Sequence, residues 1–376
     1  MKEFSTTYVE KLKRIDPVVL TCVLLMNLLS IVTLASASDA YGTWYVKVQI
    51  LASAIGMCGM FVLTFIDYDA IVAKTKYIMF AVSIILMVIV RLFGKGTMGN
   101  RNWLPLPFMN LSWQPSEFVK ITFITCFALH LAYVKDKINK PLNVLLLALH
   151  AGVILGLVAL TDTGMALVYA AITVFMLFAS GMSLWYFAGV GGAVLLASPL
   201  LWQRLSEKQQ RRILVGFNPD LDPLDKGLQQ IASRRCIIAG GFRGAGFSGG
   251  SRYYSLPEGQ SDCLFSVLAE KFGFIGTFLY IALILTLIIR IIWIAKNTRK
   301  TYQSFICIGI AGMLIAQSAE NIGMCLGMLP VVGITLPFFS YGSSSIVSMY
   351  LCIGLIQSFC THNKKYYFER KEELDV

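Results

Sequence analysis

The sequence is poor in charge: 14% of its 376 residues are Asp, Glu, Lys or Arg, against 56% hydrophobic. A soluble chain of this length could bury a large core, but that balance leaves too little polar surface to cover one. No cleavable leader is visible either. Residues 1–16 are polar and mixed in charge, and the apolar segment after them shows no small-residue cleavage site, so it is expected to remain as a spanning helix. The nine cysteines are scattered, seven of them in apolar segments, with no CxxC and no metal-ligand spacing, the pattern of small buried hydrophobes. Cys236 and Cys263, in or beside a long loop, are the one pair placed to form a disulfide. The glycine run "GGFRGAGFSGG" is followed by no Gly-Lys-Ser/Thr, which excludes a P-loop. No inverted repeat or pair of broken helices is visible, which argues against a repeat-type transporter.

What the chain does have is long apolar runs, and a mean hydropathy of +0.68. Runs of about 17 to 26 apolar residues recur, and about 20 suffice to cross a bilayer. They predict an all-α polytopic membrane protein, one integral-membrane domain over 1–376. About ten transmembrane helices are expected, near 18–38, 45–66, 77–93, 115–134, 142–160, 164–180, 184–202, 263–289, 304–328 and 336–360. A large extracytoplasmic loop, 203–262, separates the seventh from the eighth. Lys and Arg flank the helices at the N-terminus, 73–76, 135–140, 295–300 and the C-terminal tail. By the positive-inside rule that side is cytoplasmic and both termini lie there. The opposite side is not free of cations: Arg101 lies in one outer loop, and Arg211, Arg212 and Arg243 in the long one. They form either a solvated surface or a site for an anionic ligand, and the net charge of +11 fits both, as it fits anionic lipid.

Polar side chains in membrane segments are costly and mark pairs or sites. "QPSEFVK" opens the fourth helix with Glu117 and Lys120 three apart, an ion pair that either starts the helix or lines a groove. "TDTG" offers Asp162 or Thr163 as a helix cap. In the ninth helix Gln317, Glu320 and Asn321 share a stripe, for interhelical hydrogen bonds or a polar cavity. The stretch "PEGQSDCLFSVLAEKFG" brings Asp262 to the mouth of the eighth helix, with Ser266 and Glu270 following at four-residue intervals on roughly one face. The glycines upstream supply a backbone able to approach a ligand closely.

The blocks "RNWLPLPFMNLSWQPSEFVKI", "FNPDLDPLDKGLQQIASR", "GGFRGAGFSGG…LPEGQSDCLFSVLAEKFGFIG" and "AENIGMCLGMLPVVGITLPFFSYGSSS" resemble, in order, the signature blocks of the SEDS proteins (shape, elongation, division and sporulation), over nearly the whole chain. The "NIGM" and "LP" spacing looks closer to the RodA branch than to FtsW. The resemblance implies a ten-helix peptidoglycan glycosyltransferase that polymerises lipid II beside a class B penicillin-binding protein. It places the essential acid on Asp262, with Glu258 and Ser261 in the same block, and matches Glu117 and Lys120 to a second one. The family's His-Thr is Gln260-Ser261 here, its Tyr-Gly-Gly-Ser-Ser is "YGSSS" with Ser343 for the second glycine, and its Gln-Ser is Ala232-Ser233.

On that resemblance Asp262 is the expected catalytic base. Arg101, Lys120, Arg211, Arg212 and Arg243 are candidates to clamp a diphosphate, and Glu117 to position Lys120 or a divalent ion. Gln317, Glu320, Asn321, Ser343 and Ser344 would line a polar cavity. Mg²⁺ or Mn²⁺ suits a diphosphate, though no dedicated metal site is visible. A lipid II flippase and a non-catalytic scaffold for a transpeptidase are the competing readings.

Overall fold

The computed structural model describes residues 11–96, 102–105, 112–204, 206–225 and 227–362. Among these, ten long helices carry the apolar segments. They are α1 (Pro17–Ser36), α2 (Thr43–Phe65), α3 (Tyr68–Phe93), α4 (Pro115–Val134), α5 (Pro141–Ala159), α6 (Thr163–Ala179) and α7 (Leu184–Arg204). After two loop helices, α8 (Glu207–Phe217) and α9 (Leu228–Gly240), come α10 (Leu264–Asn297), α11 (Thr301–Cys325) and α12 (Ser343–His362). Eight helices are long and apolar enough to cross a bilayer, and Thr163–Ala179 and Leu184–Leu200 are shorter apolar helices. One short hairpin, Leu104–Pro105 against Ser112–Trp113, interrupts an otherwise all-α multi-pass membrane protein.

The helices start where the sequence signals it. The Asp16 carboxylate caps α1, accepting the Val18 and Val19 N–H groups at 3.1 Å each. Pro17 takes the first turn, where a missing N–H costs nothing. Pro115 and Pro141 open α4 and α5 in the same way. Asp162 caps α6 through the Met165 N–H at 3.0 Å.

α12 is the centre of the bundle: 89% of its spanning window is buried, against 17% for α3 and 22% for α5. It lies along α2 through small residues. A Cβ on Gly56 would stand 2.7 Å from the Tyr350 ring, and one on Gly354 2.9 Å from the Met60 carbonyl oxygen. Lipid tails are as apolar as leucine, so such close backbone packing is what holds membrane helices together. At the terminal end Arg290 of α10 pairs with Asp16 at 2.8 Å. Gln357 of α12 accepts the Asp16 N–H at 2.8 Å and donates to its carbonyl at 3.0 Å, tying α1, α10 and α12 together. α7 is different. None of its described residues is buried, and Gly189, Gly191 and Gly192 face open space.

Two segments depart from expectation. The tenth span begins at Ser343 rather than 336, because Pro337 and the positive φ of Gly333 and Phe338 keep the preceding stretch irregular. The eighth runs on to Asn297 but breaks at Gly273, φ 63° and ψ −158°.

The glycine loop fills that break. The Ala245 and Gly246 N–H groups donate to the Glu270 and Lys271 carbonyls at 2.9 Å each. The Phe274 and Ile275 N–H groups donate to those of Gly241 and Phe242 at 2.9 and 3.3 Å. An unpaired backbone group in hydrocarbon costs several kcal/mol, so the loop supplies the partners the broken helix has lost. Glu270 and Lys271 lock the splice. The Glu270 carboxylate accepts the Ser251, Arg252 and Tyr253 N–H groups at 2.7–2.8 Å. Lys271 Nζ donates to the Phe247 and Gly249 carbonyls at 3.2 and 2.9 Å and lies 4.1 Å from the Tyr253 ring centroid.

Gly240, Gly244 and Gly250 therefore approach α10 closely. Gly244, at φ 79°, would place a Cβ 2.3 Å from the Lys271 carbonyl oxygen. Gly244→Ala is expected to cost about 1–3 kcal/mol, read as a lowered melting temperature in detergent. Gly152→Ala on α5, with nothing within 4 Å of its added methyl, should leave that temperature unchanged.

Candidate active site

Asp262 stands at the long-loop end, just before α10, on a tight turn. The Glu258 carbonyl accepts the Ser261 and Cys263 N–H groups at 3.2 and 3.1 Å. Glu258 itself sits at φ 51°, a left-handed conformation uncommon outside glycine. Its carboxylate accepts from Ser261 Oγ at 2.9 Å and Gln260 Nε2 at 3.2 Å. The turn is also held from the bundle. Asn321 Nδ2 donates to the Asp262 carbonyl at 2.7 Å and the Ile334 carbonyl at 2.8 Å, joining α11 to both segments that flank the site. The Tyr341 N–H reaches the Gln260 carbonyl at 3.3 Å. Gly333, at φ 75°, packs against the carboxylate, where a Cβ would stand 3.4 Å from Asp262 Oδ2.

The Asp262 carboxylate is partly exposed and has no hydrogen-bond or ion-pair partner among the described residues. Burial raises its pKa from 3.8 to about 7, and the negative charges of Glu258 and Asp162 push the same way. A carboxyl poised near neutrality is suited to proton transfer. Asp162 does more than cap α6. Its second oxygen accepts from Asn102 Nδ2 at 2.8 Å and Gln114 Nε2 at 3.1 Å, and the Gln114 N–H donates to Ser344 Oγ at 3.1 Å.

Glu117 and Lys120 form a 2.7 Å ion pair with side chains 2% and 1% exposed. Glu117 also accepts from Ser348 Oγ at 3.0 Å, and Lys120 has no further partner among the described residues. On α11, Asn321 is committed to the turn. Gln317 is fully buried with neither amide atom paired, and both Glu320 oxygens are shielded and unpaired. Polar atoms in that state call for water or a ligand. Ser343 opens α12 without a positive φ, so the departure from glycine is accommodated there.

Some expected groupings do not form. Asp262 precedes α10 instead of sharing its face; Ser266 binds Ser233 at 2.5 Å, and Glu270 turns to the glycine loop. Arg211 pairs with Asp222 at 3.3 Å, and Arg243 is exposed on the loop beside the break. Arg101 and the Arg212 side chain lie outside the described residues. Cys236 and Cys263 are both free thiols. The sequence reading also missed Asp39, between α1 and α2, which accepts from the Tyr253 and Tyr254 hydroxyls. The Tyr254 hydrogen bond leads in holding its pKa below the ordinary value. Those partners are more than 200 residues away, and no spacing pattern joins them. The stacked imidazoles of His130 on α4 and His150 on α5 were missed too, with Nδ1 atoms 3.1 Å apart.

Fold and site define a multi-pass membrane protein with a carboxylate-centred site at its long-loop end. The model of the FtsW–RodA–SpoVE family, described as a cell cycle protein, matches residues 15–365. The chain belongs to that family, the SEDS proteins. It is 33% identical to the probable peptidoglycan glycosyltransferase FtsW of Trichlorobacter lovleyi over 92% of this chain and 93% of the relative. It is also 33% identical to the peptidoglycan glycosyltransferase MrdB of Escherichia coli K12, over 93% and 94%. These equal identities do not separate the branches of the family. Among solved structures it is similar to a chain of a peptidoglycan synthase complex that coordinates polymerisation and crosslinking, with a TM-score of 0.81, 27% identity and coverage of 94% and 99%. Rod shape determining protein RodA of Thermus thermophilus matches with a TM-score of 0.69, 26% identity and coverage of 94% and 98%.

The dry ion pair generates a prediction. Glu117→Gln alone strands a buried ammonium and is expected to cost about 3–5 kcal/mol, whereas Glu117→Gln with Lys120→Met should recover most of that loss. Melting temperatures of the wild type, both single variants and the double variant measure the coupling.

Proposed function

We propose that this chain is a peptidoglycan glycosyltransferase that polymerises lipid II into β-1,4 glycan strands, with Asp262 as the base. The observation that carries the reading is the unpaired Asp262 carboxylate, raised to about 7, at the end of the bundle that the long loop covers. Relatives named peptidoglycan glycosyltransferases match over nearly the full chain. An even helix count and the flanking cations support a topology with both termini in the cytoplasm of a bacterial cell and Asp262 at the outer face of its plasma membrane.

In the reaction, Asp262 takes the proton of the acceptor sugar's 4-hydroxyl as that oxygen bonds to the donor's anomeric carbon. The bond from that carbon to the diphosphate oxygen breaks, and undecaprenyl diphosphate leaves with the electron pair. Attack from the far face inverts an α-linked donor to a β-linkage. Gln260 and Ser261 keep Glu258 folded over the turn by hydrogen bonds that need no titrating group, so the departure at these positions leaves the base in place. For Lys120 to meet the diphosphate it would have to leave its 2.7 Å ion pair with Glu117. Among the described residues no three His, Cys, Asp or Glu side chains gather as metal ligands, and Mg²⁺ or Mn²⁺ would be held largely by the diphosphate with one or two carboxylates.

The base must be ionised, so polymerisation is expected to rise with pH through about 7 and level off above it. Asp262→Asn should lose about 10²-fold or more in rate at every pH. Glu258→Gln removes a charge that raises Asp262 and should move the rise to lower pH. Glycan-strand formation from lipid II by the purified protein reads all three. Lipid II flipping that survives in Asp262→Asn beside a wild type unable to polymerise would favour a flippase. Partner binding alone would favour a scaffold.

The partner is a class B penicillin-binding protein, in keeping with the synthase complex that this chain resembles. Between α10 and α11 runs an apolar groove of about 530 Å³, lined by Ile281, Ile284, Leu285, Ile315, Ile322 and Leu326 among others. Its apolar lining suits the membrane helix of such a partner. Ala319→Trp fills the groove and is expected to weaken co-purification of the partner about tenfold, or ~1.4 kcal/mol. Polymerisation by the protein alone should be spared.

A further inference from the structure

The long loop opens with a helix whose outward face is uncovered. α8 follows α7 after residues 205–206, and its two sides differ. On the inner side Val215 and Gly216 are buried; a Cβ on Gly216 would lie 2.3 Å from Pro330 Cβ. Gln230 Nε2 donates to the Gly216 carbonyl at 3.1 Å and to the Leu329 carbonyl at 2.5 Å. The chain beyond the helix folds back, with the Gly227 N–H on the Asp222 carbonyl at 2.8 Å and Arg211 paired to Asp222. Fixed by that inner side, the helix turns Ile213, Leu214 and Phe217 outward, at a spacing that puts them on one face. Phe217 is 62% exposed, and Leu224, just beyond, 87%.

A water-facing surface does not keep such a ridge, and two observations name what covers it. The first is continuity: α7, which leads into α8, exposes Leu195, Leu196 and Leu200 as a spanning helix does to acyl chains. The second is charge. Arg204 at the end of α7 and Arg211 two residues before Ile213 are exposed, and cations near an apolar face match a surface that stacks phosphates over hydrocarbon.

We propose that α8 lies in the membrane–water interface on the long-loop side. Ile213, Leu214 and Phe217 sit among the acyl chains of that leaflet, and Arg204 and Arg211 lie level with its phosphates. The helix thereby sets a depth. Its inner side rests on Pro330, and Gly333 three residues on packs against Asp262, so α8 holds this side of the Asp262 turn at the height of the head groups.

The test uses the full chain and does not depend on the reaction. Cys58, the one exposed thiol among the nine, is replaced by Ser. Leu214→Cys, Phe217→Cys or Asp220→Cys then carries an NBD fluorophore in phosphatidylcholine nanodiscs. Lipid bearing a shallow doxyl quencher is expected to quench positions 214 and 217 about threefold more than 220, and aqueous iodide to do the reverse. Iodide quenching of 214 and 217 to the level of 220 overturns the proposal, because the face is then in water. Protection of both from either quencher overturns it too, because protein then covers the ridge.

Discussion

A membrane interior offers no water to a broken backbone, and the arrangement at Gly273 answers that constraint. α10 interrupts its own hydrogen-bond ladder, and the glycine loop restores it with four backbone bonds. Glu270 and Lys271, the two charges nearest the break, spend their polar groups on the same loop. The first turns of α10 are thereby fixed against α9, and the turn that presents Asp262 ends where that helix begins. Positioning of the site starts with backbone satisfaction, and the charged side chains follow it.

Around the site, polar groups divide into those that are spent and those left open. Asn321, Asp162, Gln114, Glu258 and Glu270 each hold several partners and build the frame. Glu117 and Lys120 neutralise each other out of solvent. Asp262, Gln317 and Glu320 keep unpaired groups, and these are the positions where water or substrate must complete the hydrogen bonding. A carboxyl with no cation beside it, surrounded by other acids, holds its proton to a higher pH than an exposed aspartate does. The frame's rigidity keeps neighbouring side chains from relaxing toward it.

Much of this was legible in the sequence. Hydropathy located all ten apolar segments, and "QPSEFVK" and "TDTG" marked the starts of α4 and α6. The three-residue spacing of Glu117 and Lys120 foretold their pair, and the acid at 262 stood out by its place ahead of an apolar run. The break at Gly273 did not show, since a hydropathy window averages over one residue's φ. The four-residue spacing of Asp262, Ser266 and Glu270 misled for a related reason: it assumes one continuous helix, and α10 begins only at Leu264. Contacts such as Asn321 to Asp262 or Tyr253 to Asp39 join distant segments and leave no local period. The glycine run was noticed, but composition alone does not say whether a close backbone approach is to a ligand or to another helix.

α7 carries a consequence of a different kind. With no buried residue among those described, the helix is held near its start, where Phe187 packs edge-on against Phe178 of α6 and the Tyr186 hydroxyl donates to the Asn139 carbonyl, and the tilt of the rest answers to the thickness of the surrounding hydrocarbon. Along that flank lipid takes the part of a wall, and a change in bilayer composition acts on the protein as a change in its own packing would.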